Sequence, residues 1–261
     1  MISIPYFKQT AKSNAKFLLA FTLVLCMFLI VMSYVFTPET VNEFHSATDG
    51  TFVSNIFAGN GTLVGFMSNS FYALMAIIFP MVYSIMVGNR MIAEKVDKGS
   101  MAGYLSTPTT RLQIVLTSAL YFVLSLFFMW GVASVVGILA ANHFQPDALD
   151  VKIFLMLNLG AFLYHLAISG ICFCSSCIFN TSKKSLMFGA GIPLFFFVVS
   201  MFIKLSNDLD FLKYATLNTL FDTQSVLSGS GYAGEFIAMA LIAAVLYVVG
   251  IVWFQKKNLP L

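Results

Sequence analysis

The sequence predicts an all-α integral membrane protein with six transmembrane helices and with both termini in the cytosol. Of its 261 residues, 59% are hydrophobic and only 10% are charged, whereas soluble domains carry about 25% charged residues. Six long apolar stretches alternate with polar breaks, and most Lys and Arg residues fall into every second break. We expect residues 1–261 to form a single transmembrane domain.

Each apolar stretch is long enough to cross a bilayer as a helix. A hydrocarbon core about 30 Å thick requires roughly 20 helical residues, and the continuous apolarity excludes the alternating pattern of a membrane β-barrel. The predicted spans are residues 17–36, 71–89, 112–140, 151–179, 186–203 and 234–254.

The positive charges predict the orientation, because Lys and Arg concentrate in cytosolic loops. Eleven of the 14 Lys and Arg residues lie in four segments, which are 1–16, 90–111, 180–185 and 255–261. Nine of the 11 acidic residues lie in the other connections or at their edges. These four segments are therefore assigned to the cytosol.

Charged residues are missing from the middle of the predicted spans, where each costs about 2.5 to 3.5 kcal/mol. Carriers driven by ions usually accept that cost, so its absence disfavours ion coupling. The cytosolic segments are too short for a catalytic domain, and no Gly is followed by Lys, which excludes a phosphate-binding loop. We expect the chain to be no enzyme and to bind no cofactor.

The longest cytosolic segment, residues 90–111, has the pattern of an ordered loop. Apolar residues recur at helical spacing among charged ones, which predicts a short amphipathic helix that continues the second span. The apolar positions are Met91, Ile92 and Val96, and the charged ones are Glu94, Lys95, Asp97 and Lys98. We expect Gly99 and Gly103 to end this helix, and Thr107 to cap a third span with Pro108 in its first turn.

This loop resembles that of the permease subunits of type-2 ABC transporters, an exporter-like class driven by ATP. Glu94, Gly99 five residues later, and residues 105–111 before the third span carry the resemblance. Six spans, a basic N-terminal segment and a long polar stretch before the last span are further family traits. The resemblance implies that the loop is a coupling helix, which sits in a groove of a separate ATPase subunit.

The resemblance implies a coupling role for eight residues, which are Glu94, Asp97, Lys98, Gly99, Tyr104, Ser106, Pro108 and Arg111. ATP and Mg would bind the partner subunit and not this chain. A solvated connector is the alternative interpretation, and a lipid headgroup surface would also suit these charges.

The N-terminal segment, residues 1–16, has a basic stripe. Lys8, Lys12 and Lys16 repeat every four residues, which predicts a helix on the anionic inner leaflet. In the resembled family, an elbow helix occupies this place. The alternative is a basic tail that serves only as a topology signal.

Polar residues share one face of the fourth span. Asn158, His165 and Ser169 indicate either a polar seam between packed helices or the wall of a cargo path. Cys172, Cys174 and Cys177 lie further along, but on a helix their thiols cannot converge. No metal site is expected.

Two spans contain proline. Pro80 in the second span and Pro193 in the fifth, which follows Gly189 and Gly191, indicate either a hinge or a static bend. Outside the membrane, the apolar stretch 205–233 predicts one or two short helices at the interface.

The resemblance, together with these features, implies the function of a permease subunit in the bacterial plasma membrane. It would form a homo- or heterodimer, dock cytosolic ATPase subunits, contact membrane lipids but no nucleic acid, and expel an apolar or amphipathic cargo. A peptide, an antibiotic or a lipid would suit the apolar membrane region. The alternatives are a membrane-embedded enzyme and a passive channel or carrier without ATP coupling.

Overall fold

The computed structural model describes residues 2–36, 62–205 and 216–259, and all regular structure in these ranges is helical. Six helices in this part of the chain are long and apolar enough to cross a membrane. The predicted all-α membrane fold with six spans is therefore confirmed.

The spans have the following bounds. The first span is α1 (Ile4–Val35), and the second consists of α2 (Leu63–Met67), a π-helical segment (Ser68–Met75) and α3 (Ala76–Met91). Two short helices follow, α4 (Ala93–Asp97) and α5 (Ser100–Leu105). The third to fifth spans are α6 (Arg111–Phe144), α7 (Val151–Ile178) and α8 (Ser182–Leu205). A 3-10 turn (Leu217–Leu220) and α9 (Thr223–Ser228) precede the sixth span, α10 (Tyr232–Lys256).

The two ends of the bundle can be distinguished by the residues that lie there. Near the start of α6, Thr117 accepts a hydrogen bond from the backbone N–H of Ser3, and Arg111 donates to the carbonyl of Lys257. We call this the terminal end, because both described termini lie there. At the other end of α6, Gln145 donates to the carbonyl of the residue that follows α1, at 2.6 Å. We call this the distal end.

Helix α7 is the centre of the bundle. It packs against α3, α6, α8 and α10, while α1 lies outside against α6 and α3. Large apolar side chains on the outer helices, such as Leu23, Phe195 and Val245, are exposed. Lipid is the solvent that suits such a surface.

Neighbouring helices approach α7 closely at glycine residues. A Cβ atom added at Gly88 would lie 2.8 Å from Cβ of Cys172, and one at Gly250 would lie 3.2 Å from Cα of Cys174. Gly189 of α8 also lies against Cys172, whose Sγ donates to the Gly189 carbonyl. Small residues at such contacts are typical of membrane helices. The buried cysteines are therefore small packing residues of this contact.

The N-terminal segment corrects the sequence analysis. Residues 4–16 are helical as predicted, but in the described part of this segment they form no separate helix, because α1 runs without interruption from Ile4 into the first span. Tyr6 and Phe7 on one face of its first turns contact Ser118 and Tyr121 of α6. This packing gives the segment a partner inside the chain.

The second span also begins earlier than the sequence predicts. Residues 63–70, which hydropathy assigned to an outer connection, are helical. The Asn- and Gly-rich part of that connection, residues 37–61, lies outside the described residues.

Both proline residues lie within continuous helices. Pro80 is in α3 and Pro193 is in α8. Pro80 cannot donate to the carbonyl of Ala76, and the π-helical segment ends directly before that residue. A hinge at Pro80, Gly189, Gly191 or Pro193 remains a prediction.

We expect Gly88→Ala to destabilise the protein, because the new methyl group would overlap with Cys172. Overpacking of this kind costs about 1 to 3 kcal/mol, so the thermal unfolding midpoint in detergent, followed by circular dichroism, should fall by several degrees. Gly131→Ala is the matched control, since nothing lies within 4 Å of a Cβ atom there. An unchanged midpoint for Gly88→Ala would contradict the close approach of α3 and α7.

Candidate functional site

The loop between the second and third spans is an ordered part of the terminal end. Helix α3 ends at Met91, and Ile92 (φ −131°, ψ −61°) breaks the helical path before α4. Gly99 (φ +71°) then reverses the chain before α5. A left-handed conformation is easily adopted only by glycine, so Gly99 ends α4 as the sequence predicts. Gly103 lies inside α5, and the prediction that it ends a helix is wrong.

The apolar residues of this loop face the bundle. Met91, Ile92, Val96 and Met101 are at most 3% exposed. The apolar stripe read from the sequence therefore packs inside the chain and is not available to a partner. The exposed positions from Asp97 to Pro108, which we call the loop face, are Asp97, Lys98, Gly99, Ser100, Ala102, Gly103, Ser106, Thr107 and Pro108.

Glu94 lies between two cations at the edge of the loop face. One of its carboxylate oxygens is 2.6 Å from Nζ of Lys98, and the other is 3.9 Å from Nε of Arg90. The Arg90 guanidinium also lies over the ring of Phe17 in α1, 4.7 Å from its centroid. Ion pairs as exposed as that with Lys98 contribute less than about 1 kcal/mol, so they orient the loop more than they stabilise it.

Two tyrosines and a lysine join the loop to α1. Nζ of Lys95 donates to the hydroxyl of Tyr6 at 2.8 Å and lies 4.6 Å and 5.2 Å from the ring centroids of Tyr6 and Tyr104. The two rings meet edge to face at 5.3 Å. The Tyr6 hydroxyl also bonds Ser118 of α6 at 3.2 Å. We call Tyr6, Lys95 and Tyr104 the tyrosine clamp.

The other side of the loop is bonded to α7 and α8. The backbone N–H of Ala93 donates to the hydroxyl of Ser176 at 2.9 Å. The carboxylate of Asp97 accepts from the N–H of Ser182 at 3.1 Å, and the amide of Asn89 donates to the Ser182 hydroxyl at 2.6 Å. The loop therefore has direct polar contacts with α1, α7 and α8, in addition to its covalent links to the second and third spans.

The C-terminal residues lie against the same end of the bundle. Arg111 donates to the carbonyl of Lys257 at 3.0 Å, and Nζ of Lys257 donates to the carbonyl of Phe179 at 3.1 Å. Burial lowers the pKa of Lys257 to about 8, although nearby Cys177 acts in the opposite direction. Arg111 thus holds the C-terminal tail and is set apart from the loop face.

The start of the third span differs from the prediction. Thr110, not Thr107, caps α6, and its hydroxyl accepts from the N–H of Gln113 at 3.2 Å. The Gln113 side chain in turn accepts from the N–H of Thr110 at 2.9 Å, which completes a capping box. Pro108 therefore precedes the helix and does not lie in its first turn.

Two further predicted coupling residues, Ser106 and Pro108, lie where α5 ends, beside Thr107 and Thr109. The hydroxyl of Ser106 donates to the carbonyl of Gly103, and the hydroxyls of Thr107 and Thr109 donate to the carbonyl of Tyr104. These bonds satisfy the last carbonyls of a short helix.

Of the eight predicted coupling residues, five line the loop face, namely Asp97, Lys98, Gly99, Ser106 and Pro108, and Asp97 also accepts from Ser182 of α8. Glu94 pairs with Arg90 and Lys98 at the edge of this face, whereas Tyr104 contacts α1 and Arg111 contacts the C-terminal tail. Four further residues at this site, Tyr6, Ser176, Ser182 and Lys257, could not be recognised from the sequence. No local pattern links these positions to a loop that lies far away in sequence.

The polar residues of the fourth span bond within the bundle. The ring nitrogens of His165 lie 2.7 Å from the carbonyl of Ala161 and 3.2 Å from that of Ile77. The hydroxyl of Ser169 bonds that of Tyr247 at 2.8 Å. Asn158 is buried as well and donates to a carbonyl of its own helix. These contacts are typical of a polar seam between helices.

A comparison with family models identifies a relationship over almost the whole chain. The model described as ABC-2 family transporter protein matches residues 7–259. No curated protein matches the chain.

We expect Tyr6→Phe to loosen the loop, because Lys95 loses its hydroxyl acceptor while the ring contact with Tyr104 remains. A hydrogen bond of this kind contributes about 0.5 to 1.5 kcal/mol, so amide hydrogen exchange over residues 93–105 should accelerate about two- to tenfold. Tyr34→Phe, an exposed tyrosine of α1 near the distal end, is the control. Equal exchange in Tyr6→Phe and the wild type would exclude a role for the clamp hydroxyl.

We expect Lys257 to make stability depend on pH between about 8 and 10.5. Its pKa is lower in the folded state than its ordinary value of 10.5, so in this window the unfolded state binds more protons and stability rises with pH. The unfolding midpoint of the wild type should therefore rise relative to that of Lys257→Met as pH increases from 8 to 10.5. Lys256→Met, an exposed neighbour, should not change this dependence. A constant difference between wild type and Lys257→Met would refute the prediction.

Proposed function

Because the chain belongs to the ABC-2 family of transporter proteins, we propose that it is the permease subunit of an ATP-driven exporter. It is a transmembrane component of a transporter, as the family and its six apolar helices show. The proposal adds an ATPase partner, a docking surface, a direction and a class of cargo.

The loop face is the proposed docking surface for the ATPase subunit. It lies at the terminal end, which the distribution of Lys and Arg assigns to the cytosol, where ATP is present. Its small and polar residues suit a water-exposed surface that a soluble partner covers only while bound. In this proposal ATP and Mg bind the partner, and this chain carries no catalytic residues.

The contacts of the loop supply a route by which a movement of the partner reaches the spans. The tyrosine clamp joins the loop to α1, and Ser176 and Ser182 join it to α7 and α8. Because Met101 and Val96 are buried beneath the loop face, the loop cannot shift without displacing packed side chains. The attachment of this loop to several spans is the single observation that carries the coupling proposal.

The proposed cargo is an apolar or amphipathic molecule, such as a peptide, an antibiotic or a lipid, that leaves the cell. Spans that are rich in aromatic residues and have no charged residue in their middle support this class over ions and sugars. A second copy of this chain, or a related permease, would complete the transporter in the plasma membrane of a bacterium. The exposed apolar faces of α1, α8 and α10 leave room for that copy and for lipid.

Co-expression with candidate ATPase subunits tests the proposal. A stable complex should co-purify in detergent, and its ATP hydrolysis should differ from that of the ATPase alone. The permease proposal fails if none of the candidate ATPases binds the chain and none changes its rate of ATP hydrolysis when the chain is present. A passive channel is then the better interpretation.

We expect Gly99→Ala to weaken this complex, because an L-residue in a left-handed conformation costs roughly 1 to 2 kcal/mol. The strain would alter the turn between α4 and α5, so recovery of the ATPase should fall about fivefold or more. Gly103→Ala is the matched control, since this glycine is also on the loop face with nothing within 4 Å, but has an ordinary helical conformation. Equal recovery with the two variants would show that the turn at Gly99 is not required for docking.

A further inference from the structure

A cavity of about 660 Å³ lies at the distal end, between the second span, α8, the 3-10 turn and the first turns of α9 and α10. Part of its lining is apolar, with Ile77, Phe197, Met201 and Phe221 among the residues. Cavities of about 300 to 1,000 Å³ with mostly apolar walls and a few polar groups are typical of sites for small molecules.

Two carboxylates line this cavity. Asp222 caps α9, with its oxygens bonded to the N–H of Gln224 and the hydroxyl of Ser225. Glu235 lies in the first turn of α10, and its Oε2 is buried without a hydrogen-bond partner. Neither carboxylate pairs with Lys or Arg among the described residues. Among the described residues, the lining therefore contains acidic side chains and no basic ones, and Oε2 of Glu235 is a carboxylate oxygen that can accept from a ligand.

A second, independent feature of the cavity is an unpartnered tyrosine hydroxyl on the π-helical segment. Tyr72 lines the cavity and is fully buried, yet its hydroxyl has no hydrogen-bond partner in the described part of the chain. The hydroxyls of Ser68 and Ser70 on the same segment do not line the cavity, but they too are buried without a partner among the described residues. Buried polar groups are normally hydrogen-bonded, and π-helical turns are frequent at functional sites.

We propose that this cavity binds an amphiphile with one cationic group, whose ammonium or phosphonium centre lies at Glu235 and whose apolar part lies against Phe197 and Phe221. Aromatic rings attract cations and also pack against apolar groups. The cationic group of such a ligand therefore has Glu235 as a partner, and its apolar part has the rings of Phe197 and Phe221. An anionic ligand is disfavoured because two carboxylates share the site.

If this ligand is the cargo, the inference rests on the proposed function and narrows the cargo to amphipathic cations. Binding itself needs no ATPase. It is measured on the purified chain alone, so a failure here leaves the docking of the loop face untouched, and a failure of docking leaves this site untouched.

The test uses a pair of probes with the same shape and opposite charge, tetraphenylphosphonium and tetraphenylborate. Equilibrium dialysis measures their binding to the full chain in lipid nanodiscs, and empty nanodiscs correct for partition into lipid. We expect saturable binding of tetraphenylphosphonium and none of tetraphenylborate.

Two variants locate the site. Glu235→Gln should weaken tetraphenylphosphonium binding about tenfold or more, because it removes the free charge at nearly constant shape. Asp147→Asn is the matched control. Asp147 is exposed at the same distal end of the bundle but does not line the cavity, so its replacement removes a charge outside the site. Ala73→Leu, at a lining residue of the π-helical segment, should weaken binding by filling the cavity.

The unfolding midpoints of all variants are compared first, so that loss of binding is not confused with loss of fold. Saturable binding that Glu235→Gln and Ala73→Leu weaken, and that Asp147→Asn retains, supports the proposal. Absence of saturable binding to the wild type, equal binding of both probes, or equal affinity of Glu235→Gln and the wild type overturns it.

Discussion

The close contact between α7 and its neighbours at glycine positions is the constraint on which the bundle depends. Lipid chains are as apolar as leucine, so burial of apolar area does not by itself hold membrane helices together. Where Gly88 and Gly250 meet α7, the backbones are close enough for dense packing to supply the attraction. Helices α3, α8 and α10 all meet α7 near Cys172, and this packed region is the frame against which Ser176 and Ser182 hold the loop at the terminal end.

The six spans could be predicted from sequence because the thickness of the bilayer requires roughly the same length of apolar helix from each of them. Their bounds were less predictable wherever a helix extends beyond the hydrocarbon region. Helix α1 begins at Ile4 because nothing in the basic segment interrupts it, and hydropathy registers only the part that lipid surrounds. The start of α6 could have been read correctly, since Thr110 is followed by Gln113 at the spacing of a capping box, whereas Thr107 is not.

The candidate site was less predictable than the fold. An amphipathic pattern shows that apolar surface must be covered, but it does not show which molecule covers it, and in this chain the bundle itself covers Val96 and Met101. The distal cavity was missed because its walls come from three regions far apart in sequence, which are residues 69–77, 197–203 and 218–235. A π-helical segment has no hydrophobic period that distinguishes it from the α-helix around it, so Tyr72 and its neighbours read as an ordinary part of a span.

The unbroken course of α1 has a mechanical consequence. Its 32 residues, at 1.5 Å per residue, make a rod about 48 Å long, whereas the hydrocarbon core is about 30 Å thick. A large part of the rod therefore stands outside the lipid, and Tyr6 is close to its tip. In the proposed coupling, a sideways force on the loop would act at Tyr6 on a long arm, and a stiff helix would tilt as a whole. A small displacement of the loop would then change the angle of α1 within the membrane.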